Sequence, residues 1–159
     1  MEIEIVPVTA QNRAQALAMG VGPGQEGTVE PVAECLREAE EVACWRPVLL
    51  LCGDEAVGFA MYGHWAREDR VWLDRFLIDA PRQGQGLAKA CLGPLLSRIE
   101  AEYGCQRIYL SVVEGNRIAE RLYERFGFAR NGERDIHGEH VMVRESAGLD
   151  CRFVKHLGQ

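Results

Sequence analysis

The sequence predicts a single α/β domain, a mostly antiparallel mixed sheet flanked by helices. Three observations predict it. The chain has 159 residues, the size of one domain. Its apolar residues alternate with period two in several stretches and switch to helical period between them. Short turn signals join neighbouring period-two stretches, as in hairpins rather than long parallel crossovers.

The elements follow in order. Glu2 to Val8 alternates through Ile3, Ile5 and Pro7-Val8, a first strand. Ala10, Ala14, Leu17 and Ala18 give helical spacing over residues 10–20. Gly20, Gly22, Pro23, Gly24 and Gly27 form a loop. Val32, Cys35, Leu36 and Ala39 share one face of a second helix over 29–42. Pro47 opens a strand, Leu49–Cys52. Gly53-Asp54-Glu55 turns the chain, and Val57 to Tyr62 returns. After the Glu68-Asp69 turn, Val71 to Ile78 is a long central strand. Leu87, Cys91, Leu95, Ile99 and Tyr103 then recur every fourth residue, an amphipathic helix packed on the sheet. Gly93-Pro94 inside it predicts a kink or local break near residue 90. Arg107–Val112 is a strand and Ile118–Phe126 a short helix ended by Gly127. Phe128–Arg130 and Glu139–Arg144 close the domain as a hairpin around His137-Gly138. The domain spans 1–145, and 146–159 reads as a tail without period.

Composition excludes several classes. Hydrophobic residues make up 47% and charged residues 26%, which excludes collagen, coiled coil and wholesale disorder. No apolar run reaches the roughly 18 residues of a membrane span. The start Met1-Glu2-Ile3-Glu4 is not a signal peptide, so a cytoplasmic protein is expected. The net charge of −6 argues against nucleic acid as a partner. Residues 1–79 carry 14 acids and 6 bases, and residues 80–159 carry 10 acids and 12 bases. Six cysteines and four histidines show no zinc spacing, so no metal is expected and the cysteines read as small buried hydrophobes.

The most informative segment is Asp79-Ala-Pro-Arg-Gln-Gly-Gln-Gly-Leu-Ala88, between a strand and an amphipathic helix. Glycines let the backbone turn so that amide N–H groups share one concavity at a helix N-terminus, a setting for pyrophosphate. A tight turn without ligand is the plain alternative. The Rossmann fingerprint needs a third glycine where Lys89 stands, and the phosphate-binding P-loop needs Lys-Ser/Thr where Leu87-Ala88 stands.

Gln83-Gly-Gln-Gly-Leu-Ala88 is followed about 30 residues later by Asn116-Arg-Ile-Ala-Glu-Arg-Leu-Tyr123-Glu-Arg-Phe-Gly-Phe128. This ordered pair, with strands between, resembles the GNAT superfamily of acetyl-CoA-dependent N-acetyltransferases over residues 1–145. Gly58-Phe-Ala-Met-Tyr62, Arg70-Val-Trp-Leu-Asp-Arg-Phe76 and Gly138-Glu-His-Val-Met-Val143 narrow it. They look like the bacterial spermine/spermidine acetyltransferases.

The resemblance implies a cofactor cleft between two central strands and direct transfer from acetyl-CoA to an amine. It implies that Phe76, Leu77 and Ile78 offer backbone groups to the pantetheine arm. Gln83, Gly84, Gln85, Gly86, Leu87, Ala88 and Lys89 would cradle the pyrophosphate, with Arg82 or Lys89 adding charge. Asn116 would bond the pantetheine end, although an Asn there also caps a helix well. Tyr123 would donate a proton to the leaving thiolate, although its neighbours Ile118, Leu122 and Phe126 also suit a core aromatic. The Leu77–Ile78 backbone would meet the oxyanion.

The base is less defined. Asp74 is a candidate base and amine ligand, and equally a solvent-facing partner of Arg75. Glu30 suits the amine or simply a helix start. Glu133 and Glu139 suit plain surface charge. Tyr62 and Trp72 suit walls of an alkyl-ammonium site, or core aromatics. A homodimer is the family expectation. Two rivals stand beside the polyamine reading: the same fold acting on an amino acid, protein N-terminus or aminoglycoside, and a non-catalytic acyl-CoA sensor. The acidic first half holds the proposed amine ligands and the mildly basic second half the pyrophosphate loop, a division that fits a polycation meeting an anionic cofactor.

Overall fold

The computed structural model describes residues 2–22 and 31–146. The element order matches the expected β-α-α-β-β-β-α-β-α-β-β. The strands are β1 (Ile3–Pro7), β2 (Arg46–Cys52), β3 (Glu55–Trp65), β4 (Arg70–Ile78), β5 (Arg107–Val112), β6 (Phe128–Arg134) and β7 (His140–Glu145). The helices are α1 (Arg13–Leu17), α2 (Val32–Glu41), α3 (Leu87–Tyr103) and α4 (Arg117–Arg125). Glu30 and the tail from 147 onward lie outside the described residues.

The strands form one seven-stranded sheet in the order β1-β2-β3-β4-β5-β7-β6. β1 to β4 pair antiparallel in sequence order; short turns require it for β2–β3 and β3–β4, whereas β1 and β2 are joined through α1 and α2. α3 crosses from β4 to β5, which makes that pair parallel. Each face of the sheet has its own core. On one face Ala60, Tyr62, Leu73 and Leu110 pack under Leu92, Leu95, Leu96 and Ile99 of α3. On the other, Leu49, Phe59, Met61 and Leu77 pack under Ala16 of α1 and Val32, Cys35 and Leu36 of α2. No helix among the described residues is long and apolar enough to cross a membrane.

Of the kink or local break expected in α3, the break does not occur: the helix runs continuously from Leu87 to Tyr103 with Pro94 inside it. Pro94 itself sits on the exposed face, so its ring takes no place in the packed side of the helix. Six buried residues, Leu87, Cys91, Leu92, Leu95, Leu96 and Ile99, hold the helix on the sheet. At about 1.5–3 kcal/mol per buried large apolar side chain, they outweigh the roughly 3 kcal/mol cost of an interior proline.

Two irregularities open the centre of the sheet. β4 and β5 pair only at Val71↔Ile108 and Trp72↔Tyr109, and beyond these the strands splay into a V. In the β3–β4 ladder Tyr62 faces Leu73 and Met61 faces Arg75, so Asp74 is an extra residue in the register of β4. It is a β-bulge, which bends the strand and re-aims its side chain.

Gly58 keeps β3 close to the β4 arm of that V. A Cβ there would stand 2.5 Å from the Leu77 carbonyl oxygen and 3.0 Å from Leu50. Gly58→Ala is expected to cost about 1–3 kcal/mol by overpacking. The melting temperature should fall by roughly 2–10 °C, and a calorimetric scan checks it.

Candidate active site

The V and the bulge form one wall of a cleft of about 730 Å³. Trp72, Asp74, Arg75 and Phe76 come from β4, and Leu110 and Ser111 from β5. Glu38 comes from α2, Val42 and Trp45 from the segment that follows it, Trp65 from the end of β3, and Asp135 and Glu139 from the turn between β6 and β7. Tyr123 enters from α4.

The backbone of the V has free polar groups by geometry. The Asp79 N–H donates to the Val57 carbonyl at 2.8 Å. Backbone groups alternate direction along a strand. Residue 77 therefore also turns its groups to β3, while 76 and 78 turn theirs toward the splayed side. The Gln83 amide confirms that direction by donating to the Ile78 carbonyl at 3.0 Å. The side chains of Leu77 and Ile78 are core, and the Leu77 main chain is spent on β3, so of the three expected backbone contacts the V offers a ligand those of Phe76 and Ile78 and not that of Leu77.

At the end of β4 a single 3₁₀ turn, Ala80–Arg82, leads into the glycine loop. Gly84 and Gly86 have φ of +79° and +76°, and no atom lies within 4 Å of where a Cβ would stand on either. The turn needs glycine for its conformation, and side chains there would project into open space. The first N–H groups of α3 have no acceptor within the helix, and no side chain caps them. Leu87 is anchored in the core, Ala88 is half-buried, and Gln85 and Lys89 are exposed. Arg82 is paired with Glu55.

Asn116 caps α4, its side-chain oxygen accepting from the Ala119 N–H at 3.3 Å. This fixes the first turn of the helix that carries Tyr123. Tyr123 packs edge-on against Phe128 with ring centroids 5.8 Å apart. Burial pushes its pKa up to about 12, so the hydroxyl keeps its proton at neutral pH.

Carboxylates and tryptophans dominate the amine side. Asp74 sits 2.8 Å from the Arg75 guanidinium, which also reaches Glu38 at 3.6 Å. The Trp72 indole donates to Glu68 at 3.1 Å, and its ring packs on Tyr109 at 5.5 Å. Trp45 and Trp65 stack with centroids 6.0 Å apart. Burial alone would raise the Asp135 pKa, but N–H donors of Glu139 and His137 outweigh it and hold the carboxyl below its usual range. Burial, then the charge of Asp135, raises Glu139.

Two expectations change. Tyr62 does not reach the cleft: it is 1% exposed, lies under α3, and donates to Glu102 at 2.5 Å while accepting from Arg98 at 3.0 Å. The alternation of β3 turns Tyr62 to the α3 face, opposite the tryptophans. The division of charge between the halves of the chain also fails to describe the cleft, since Asp135 and Glu139 come from the second half. Glu133 is held by Arg70 at 2.7 Å, below the sheet opening. Among the described residues no cluster has the makings of a metal site, and none of the five cysteines they include is in a disulfide.

Sequence reasoning missed Trp45, Trp65, Glu38, Glu68 and Asp135. A usable signal existed for Trp65, which flanks the Glu68-Asp69 turn with Trp72. A hairpin brings such diagonal neighbours within reach of each other.

Residues 14–128 match the family model described as the acetyltransferase (GNAT) family. The chain belongs to the GNAT acetyltransferase family. It is 46% identical to the spermine/spermidine N(1)-acetyltransferase of Bacillus subtilis over 151 residues, covering 91% of this chain and 99% of that protein. Among solved structures it resembles a spermidine N-acetyltransferase of Vibrio cholerae in complex with CoA and spermine. The TM-score is 0.71 at 15% identity, over 90% of this chain and 95% of that one. An aminoglycoside acetyltransferase in complex with coenzyme A superposes with a TM-score of 0.75 at 17% identity, over 99% and 100% of the two chains. This GNAT acetyltransferase uses acetyl-CoA, and the open glycine loop, uncapped helix end and splayed V fit that ligand's pyrophosphate and pantetheine.

Proposed function

We propose that this acetyltransferase acetylates a primary amine of a polyamine such as spermidine or spermine. One observation carries the reading. The cleft beside Tyr123 is lined by three tryptophans and five carboxylates, Glu38, Glu68, Asp74, Asp135 and Glu139, against one guanidinium. A polyamine alternates ammonium groups with methylene spacers. Carboxylates suit the first, and aromatic faces suit both.

When bound, acetyl-CoA supplies the activated acetyl group. The 83–89 loop and the start of α3 hold its phosphates, with Lys89 the nearby exposed cation. The main chain of Phe76 and Ile78 and the Asn116 side chain orient the arm in the V. Asp74, aimed into the cleft by the bulge, takes the proton of the attacking amine, and Trp72 walls its alkyl chain. Tyr123 holds a proton for the sulfur. The cysteines have no part in direct transfer. Glu30, outside the described residues, remains a proposed amine ligand. A cytoplasmic homodimer is the setting this reading carries with it.

Thiol release from acetyl-CoA tests the substrate. A second ammonium facing a carboxylate contributes about 1.5–3 kcal/mol. Spermidine should therefore exceed butylamine in kcat/KM by roughly tenfold to a hundredfold. Absence of turnover with spermidine, and activity with an amino acid or aminoglycoside instead, would reject the polyamine.

A further inference from the structure

Arg75 is a cation in a cleft otherwise built for cations, and its side chain is only 15% exposed. In a regular strand, successive side chains point to opposite faces. Asp74 and Arg75 should therefore be unable to pair. They do pair, at 2.8 Å, because Asp74 is the bulged residue. The same Nη1 also donates to the Asp74 main-chain carbonyl at 2.8 Å. Nη2 extends to Glu38 of α2 at 3.6 Å. One planar guanidinium thus holds both the carboxylate and the backbone of the bulge, and ties them to a helix across the cleft.

We propose that Arg75 is a positioning residue that fixes the direction of the Asp74 carboxylate toward the amine. The inference rests on the reading of Asp74 as the base. Arginine suits the task for two reasons. Its fork presents several donors in fixed geometry, which a lysine ammonium does not. It does not lose its proton, so it never competes with Asp74 for the proton of the amine. It also keeps a fixed positive charge beside a bulge that would otherwise leave Asp74 and Glu38 facing each other as like charges.

The test is a double-mutant cycle on kcat with spermidine, with thermal melting of every variant. R75K is expected to lose about tenfold to a hundredfold in kcat while the KM for acetyl-CoA stays unchanged. In the D74N background, R75K should cost nothing further, because Arg75 acts through Asp74. Glu38→Gln, which loosens only the outer anchor, should lose about twofold to tenfold, and it decides the matter if R75K fails to fold. Wild-type kcat in R75K, or losses that multiply in the D74N background, would overturn the positioning role. Wild-type turnover in D74N itself would instead remove Asp74 as the base.

Discussion

Tyr123→Phe is expected to lower kcat by roughly 10²–10⁴-fold, the range for loss of a general acid, with acetyl-CoA affinity nearly unchanged. The phenyl ring keeps the volume and the edge-on contact with Phe128. Only the hydroxyl is lost, so the fold and the V should be intact. The pKa of about 12 means that the group is protonated throughout the working range. The deficit should therefore be the same at pH 7 and pH 9, and any alkaline fall in wild-type activity between them belongs to another group. Rapid-quench or thiol-release kinetics give kcat, and calorimetric titration with CoA gives the affinity. Equal turnover in the two proteins would return Tyr123 to the core aromatic that its neighbours on α4 also describe.

The path from sequence to site ran through local pattern and stopped at long-range geometry. Leu87, Cys91, Leu95 and Ile99 announce α3 because one stripe of the helix faces the sheet, and all four are buried. Gln83 to Ala88 announces the phosphate turn because positive φ requires glycine at 84 and 86. A break at Pro94 does not occur, since six buried side chains hold the helix on the sheet and spacing alone does not show their burial. The bulge at Asp74 left no trace in composition: it exists only as a mismatch between two strands. Tyr62 shows the same limit. Alternation separates the two faces of β3, yet both are buried, so nothing local distinguishes the face over the cleft from the face under α3. Asp135 lies in the turn between β6 and β7, and only the pairing of β7 with β5 carries it to the cleft with Ser111.

Asp74→Asn is expected to reduce kcat/KM for spermidine at neutral pH by roughly 10²–10⁴-fold, and its pH profile should identify the cause. Alkyl ammonium groups titrate near ~10.4, so at pH 7.4 only about one amine in a thousand is free. With Asp74 present, the ammonium form can bind and give up its proton inside the cleft. The rate then depends weakly on pH between 7 and 9. Asparagine keeps the shape and can still hydrogen-bond, but it accepts no proton. The variant must wait for amine already neutral in solution. Its kcat/KM should rise about tenfold for each pH unit up to ~10.4, approaching the wild-type value from below. The KM for acetyl-CoA should not move, since Asp74 lines the tryptophan-walled cleft, whose lining includes none of the 83–89 loop. A deficit that stays constant with pH would mean that Asp74 binds the substrate without deprotonating it. The base would then have to be sought in the β6–β7 turn, where Glu139 has a raised pKa and lines the same cleft.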